Sequence, residues 1–196
     1  MVVLEVATLS GTNVVIGDAA VEDFQKKLRG QLILPSDDTY DTARMVWNAM
    51  IDRRPALIVR CAGVSDVINS VNFARDNSLL LAVRGGGHSF AGNAVCEGGI
   101  VIDLTRMQGV RVDPVKQTVR AEGGVLWLDF DIETQAFGLA TTGGTNSDTG
   151  IAGLTLGGGH GWLGGKYGLT VDNLLSVDIV TSDGQFRTAN ANENTD

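Results

Sequence analysis

At 196 residues, 43% of them apolar and 19% charged, the chain can bury one ample core or two small ones without disulfide or metal staples. No run is long and apolar enough to span a bilayer, and a formal charge of −8 argues against a nucleic-acid partner, which needs clustered Lys and Arg. The N-terminus, Met1-Val2-Val3-Leu4-Glu5, lacks the basic flank, long apolar region and cleavage site of a signal peptide, so the expected compartment is cytoplasmic and Cys61 and Cys96 are expected as free thiols.

Taken in order, the chain opens with a weakly patterned lead to Gly17, expected to be mobile. Asp18 is placed to cap a helix over 19–29, with Val21, Phe24 and Leu28 on one face and Gly30 as its stop. A second helix is predicted over 38–51 from the spacing of Tyr40, Ala43, Val46, Trp47 and Met50, and neither helix carries visible chemistry. From Ala56 the rhythm becomes strand, helix, strand: residues 56–60, a helix capped by Ser65, and residues 79–83, a βαβ unit with parallel strands. Strands follow at 99–104, 110–112 and 118–121, the last two forming a hairpin. Gly123-Gly124 opens a helix to Phe137, and residues 174–181 and 185–188 pair across Ser182-Asp183-Gly184. The fold class is α+β: packing helices over 1–54, a βαβ layer over 55–108, and an antiparallel sheet with one helix over 109–196.

Glycine is the compositional outlier, 26 residues against three prolines. Arg84-Gly85-Gly86-Gly87-His88-Ser89 follows the apolar run 79–83 at the carboxyl end of a strand, where functional loops of βαβ units lie. Without Cβ atoms, successive amides can turn to one centre and a phosphate can come close, with Arg84 adding charge and Ser89 a hydroxyl. The alternative is a Gly-rich turn with an incidental histidine. Gly143 to Gly168 crowds further glycines among Ile151, Leu154, Leu156, Trp162, Leu163, Tyr167 and Leu169, a composition that predicts ordered backbone sealed by apolar side chains rather than a linker. Gly159-His160-Gly161-Trp162-Leu163-Gly164 satisfies a dinucleotide fingerprint, but Gly164 to Gly168 is a poor helix start. Gly165-Lys166 imitates the end of a P-loop with both flanks wrong.

Val83 to Ser89, Gly150-Ile151-Ala152-Gly153 through Gly157-Gly158-Gly159-His160-Gly161-Trp162-Leu163, and Lys166-Tyr167-Gly168-Leu169-Thr170-Val171-Asp172-Asn173-Leu174 together resemble the FAD-binding domain of p-cresol-methylhydroxylase-type flavoproteins. Within that group the match is to berberine-bridge-enzyme-like oxidoreductases, and Tyr40 to Arg44 and Trp47-Asn48 resemble the family's early helix. The resemblance implies FAD between two α+β subdomains, its pyrophosphate on the amides of residues 84–89 and its 8α-methyl carbon joined to a ring nitrogen of His88. It implies further cofactor contacts at Gly144, Asn146, Thr149, Gly150, Gly153, Gly158, Gly159, Gly161, Tyr167, Asn173 and Val180. A histidine that only donates to a phosphate is the alternative for His88, and a solvated strand-end charge the alternative for Arg84.

Two departures shape the expectation. Many family members carry a second attachment through a cysteine where this chain has Asn146, so attachment at His88 alone is expected, with Asn146 near the ring. His160 falls in a variable slot and is expected to pack or bond to backbone. The family's chain continues into a substrate domain bearing the catalytic base, so no base is assigned and these residues alone are expected to be inactive. The implied reaction is hydride transfer from an alcohol, sugar or amine C–H to flavin N5, with O₂ or another acceptor reoxidising the cofactor. Competing readings are a flavin- or nucleotide-binding module without turnover and an NAD-dependent Rossmann-type reductase. Nothing in the residues bears on the oligomeric state.

Overall fold

A computed structural model describes residues 4–195. Its first element corrects the expected mobile lead. β1 (Leu4–Ala7) and β2 (Asn13–Ile16) form an antiparallel ribbon turned at Gly11, whose φ of +83° suits glycine. Leu4, Val6 and Ile16 are buried, the Ala7 N–H donates to Gly98 O, and the Leu80 N–H donates to Ala7 O. Short apolar alternation around Ser10-Gly11-Thr12 was the signal. Met1 to Val3 of that lead lie outside the described residues.

α1 (Asp18–Gln25) begins from Gly17, with Asp18 in its first turn rather than at the cap. It ends before Arg29, because the Arg29 and Gly30 amides donate to the fully buried Asp66 carboxylate at 2.8 and 2.9 Å. Phe24 stacks on Phe73 with ring centroids 4.1 Å apart. Residues 31–33, not expected as a strand, form β3 (Gln31–Ile33).

The predicted helix over 38–51 shrinks to α2 (Tyr40–Arg44), with Met45 extended at ψ 138°. A continuing helix would take the Trp47 N–H to Ala43 O. Here Ala43 O accepts instead from Arg84, and the Trp47 N–H donates to Gly87 O, so a later loop outbids the helix for both groups.

β4 (Leu57–Arg60), α3 (Val64–Asp76), β5 (Leu81–Arg84) and β6 (Ile100–Asp103) build the central layer. α3 starts from Gly63, not Ser65. The sheet order is β3-β4-β6-β5: β4 and β5 are parallel, as expected, but each pairs with β6 between them, while β3 is antiparallel at the edge. Leu57, Ile58, Val59, Ile100, Val101 and Ile102 are all buried, the unbroken apolar run of parallel strands covered on both faces. Phe24, Leu79 and the first ribbon pack one face, and Tyr40, Ala43, Val95 and Cys96 the other.

Beyond this layer the chain forms β7 (Val110–Asp113), β8 (Thr118–Ala121), α4 (Trp127–Gln135), α5 (Ile151–Leu156), α6 (Gly164–Tyr167), a 3₁₀ turn at Val171–Asn173, β9 (Ser176–Val180) and β10 (Phe186–Asn190). Val125, Trp127 and Phe130 form a third core with Val110, Val119, Ala121, Ile151 and Leu154. The expected single antiparallel sheet is two separate ribbons, β7-β8 and β9-β10. The second docks instead on α3, where Arg75 Nη1 donates to Asp183 O at 2.6 Å and Gly184 lies against Asn72, and an Arg120–Asp178 ion pair of 2.7 Å links the ribbons.

Candidate functional site

Arg60, Arg84 and Asp103 stand in register at the carboxyl ends of β4, β5 and β6. Asp103 is fully buried and accepts from Arg84 Nη2 at 2.8 Å, Arg60 Nε at 3.2 Å and the Thr105 amide at 3.0 Å. Arg84 also donates to Ala43 O and Met45 O at 2.5 and 3.1 Å. The expectation that Arg84 offers its charge to an anion is therefore corrected. A guanidinium this buried must be paired, and it ties β5 to β6 and to the end of α2.

The loop that Arg84 leads is held open by close backbone contact. A Cβ on Gly85 would lie 2.8 Å from Gly123 O, and one on Gly150 would lie 2.5 Å from the Gly86 nitrogen, so the two glycine segments meet main chain to main chain. Gly87 has φ +74°. None of the five amides from Gly85 to Ser89 donates to a group among the described residues, which leaves a row of N–H donors for an external acceptor. Ser89 Oγ accepts from the Asn93 amide at 3.0 Å, closing its own turn and keeping its O–H.

His88 lies within this row. Its Nδ1 is 2.9 Å from Gly86 O, its ring stacks on Trp47 with centroids 5.6 Å apart, and its buried Nε2 makes no hydrogen bond among the described residues. The nearest carboxylate is Asp148, with Oδ2 3.5 Å from Nε2. Sequence reasoning missed both neighbours. Trp47 lies beyond α2 rather than in the packing helix predicted over 38–51, although it sits in the early segment that carries the resemblance, and the sequence holds no signal for Asp148.

The second segment is seated on α4. The Trp127 and Leu128 amides donate to Thr149 O and Ser147 O, which orients residues 145–149 on the helix N-terminus. Gly143 and Gly144 pack on the Trp127 ring, Gly161 presses on the Gly143 backbone, and Gly159 (φ +78°) meets Thr170 and Leu154. Trp127 Nε1 and Thr142 Oγ1 are buried without partners among the described residues. Thr149 donates its amide to Asn146 O, whereas the Asn146 side chain is exposed. Gly153 lies within α5 with open space beside it, and Gly158 takes φ +100° next to Leu169. Tyr167 is half-exposed, with Lys166 Nζ 4.8 Å from its ring centroid.

Asn173 is occupied locally, donating to Tyr167 O and Leu169 O, and Val180 ends β9 opposite Phe186. No hydrogen bond joins either residue to loop 84–89 among the described residues. The expected apolar seal holds in part: Ile151 and Leu154 pack against the third core, whereas Trp162 is 89% exposed and Leu156 72%. His160 is exposed and makes no hydrogen bond among the described residues, contrary to the packing or backbone bond expected of it. The pattern Gly159 to Gly164 follows a helix rather than a strand and opens only the four-residue α6, so it lacks the context of a dinucleotide fingerprint.

Residues 55–190 match the FAD binding domain family. The chain belongs to that family. This FAD binding domain is 41% identical over 157 residues to (R)-6-hydroxynicotine oxidase of Paenarthrobacter nicotinovorans, covering 80% of the chain and 34% of the relative. Among solved structures, Physcomitrella patens BBE-like 1 superposes with a TM-score of 0.81 at 28% identity, over 89% of this chain and 38% of that one. The xylooligosaccharide oxidase of Myceliophthora thermophila gives 0.83 at 26% identity over the same shares, 89% and 38%. The α+β architecture is thus that of a berberine-bridge-enzyme-like FAD-binding fragment, and the chain spans about a third of the length of the relatives it matches.

Proposed function

We propose that this chain is the cofactor-holding part of a flavin-dependent oxidase or dehydrogenase, with the flavin attached through His88. The observation that carries this reading is a buried imidazole nitrogen without a partner, set in a row of unpaired amides where two glycine segments touch. Those features suit FAD. The amides of Gly85 to Ser89 offer donors to a diphosphate, and the Cβ-free contact between Gly86 and Gly150 keeps that rim narrow. When bound, the flavin supplies hydride acceptance; the chain supplies orientation and electrostatics.

Arg84 keeps the rim fixed from beneath through Asp103, and Trp47 limits the swing of the His88 ring. Asn146 offers no thiol, so attachment is single. No residue here is assigned as the base that takes the substrate proton. The substrate is a small alcohol, sugar or amine, and the relative named a hydroxynicotine oxidase makes an amine the first to try. Dioxygen is the favoured acceptor.

The test is an absorbance spectrum of the full-length protein before and after acid precipitation, with His88→Ala alongside. Flavin that stays in the wild-type pellet but washes out of the variant is the expected result. Colourless wild-type protein removes the flavin reading, and flavin washed out of both removes the linkage.

A further inference from the structure

Asp148 is the candidate, and its role rests on the reading of His88 as the flavin-bearing residue. His88 faces an oxygen acceptor at each ring nitrogen: Gly86 O lies 2.9 Å from Nδ1, and Asp148 Oδ2 lies 3.5 Å from Nε2. The shorter contact requires a proton on Nδ1, so in the neutral ring the Nε2 lone pair points at a carboxylate, with which it forms no hydrogen bond. Such an arrangement gives the neutral ring nothing. It favours a ring that turns positive, which happens when the lone pair is spent on a bond to carbon. The loop's own cation is already engaged: the Arg84 stem lies beneath Gly87, but its guanidinium is paired with Asp103.

We propose that Asp148 is a positioning residue that stabilises the cationic His88 ring while Nε2 bonds to the flavin methyl carbon. In that step the N–C bond forms as a methyl C–H bond breaks, the carbon gives up its proton, and Nδ1 keeps its own against Gly86 O, so the ring becomes cationic. The two electrons released pass through the flavin ring to dioxygen, which with that proton and one from water leaves as hydrogen peroxide.

The experiment follows acid-stable flavin over time in full-length protein made in riboflavin-limited cells and then given FAD, for wild type, Asp148→Asn and Asp148→Glu, at low and high NaCl. Total bound flavin is read before acid. The side chain of Asp148 is 66% exposed, so its influence is open to salt screening. The expected result is a wild-type rate that falls with salt, an Asp148→Asn rate about 10-fold slower and insensitive to salt, and recovery of both in Asp148→Glu. A fall in rate without loss of the salt dependence would make Asp148 merely structural and overturn the assignment. Wild-type attachment kinetics in Asp148→Asn would overturn it too and leave the His88 linkage standing, whereas no acid-stable flavin in wild type would defeat the linkage itself. An Asp148→Asn protein that binds no flavin at all also overturns it, because the carboxylate would then be a binding group.

Discussion

Gly86 and Gly150 each occupy the space a side chain on the other would need. Gly86→Ala forces two main chains apart, and overpacking of this kind costs about 1–3 kcal/mol. The urea midpoint should fall and total bound flavin with it; an unchanged midpoint would mean the seam can widen freely. Arg84 acts through a different mechanism. Arg84→Met leaves the buried Asp103 with Arg60 and the Thr105 amide, and breaking a buried pair costs about 3–5 kcal/mol, so denaturant unfolding should show a loss near that size. Replacing Asp103 by leucine in the same chain should recover part of it. The glycine triplet and His88 were legible because a strand end and a run of Cβ-free residues are local signals. The occupation of Arg84 was not, since it depends on the register that sets Arg84 beside Asp103, nineteen residues later.

Among the elements, those with unbroken apolar runs were readable: residues 57–60, 81–84 and 100–103 are strands, and the Asp183-Gly184 turn closes its hairpin. The failures occurred where a distant group competes for local hydrogen bonds. α2 stops because Arg84 and Gly87 take the carbonyl and amide that a continuing helix would join, and no helical spacing reveals that. The first ribbon was underestimated because four-residue strands give too few alternations to stand out. Its importance can be checked directly. Val6 is fully buried in β1, and Val6→Asp places a carboxylate in the main core without a partner, so cooperative unfolding should be weakened by about 3 kcal/mol or more. A stability close to wild type would restore the picture of a loose lead.

At the scale of the whole molecule, both cysteines respond to burial. The Cys61 thiol is pushed up to about 12 and the Cys96 thiol to about 11, from an ordinary value of 9.0. In the unfolded chain the thiols ionise above pH 9.0 while the folded chain keeps their protons, so the unfolded state binds fewer protons and stability falls as pH rises from there. Urea midpoints should decline between pH 8 and pH 11, and more gently in a Cys61→Ala, Cys96→Ala double variant; parallel declines would assign the alkaline loss to other groups. The contact between Gly86 and Gly150 also has a consequence in time. During synthesis the four-stranded layer is complete once Asp103 has emerged, yet the opposite lip arrives only with the later glycine segment. Long-range closures of this kind form late. The clasp is therefore assembled in steps, its floor with Asp103 and its lip only with Gly150, and a cell short of riboflavin would accumulate chains whose first layer is folded but whose seam has nothing to clasp.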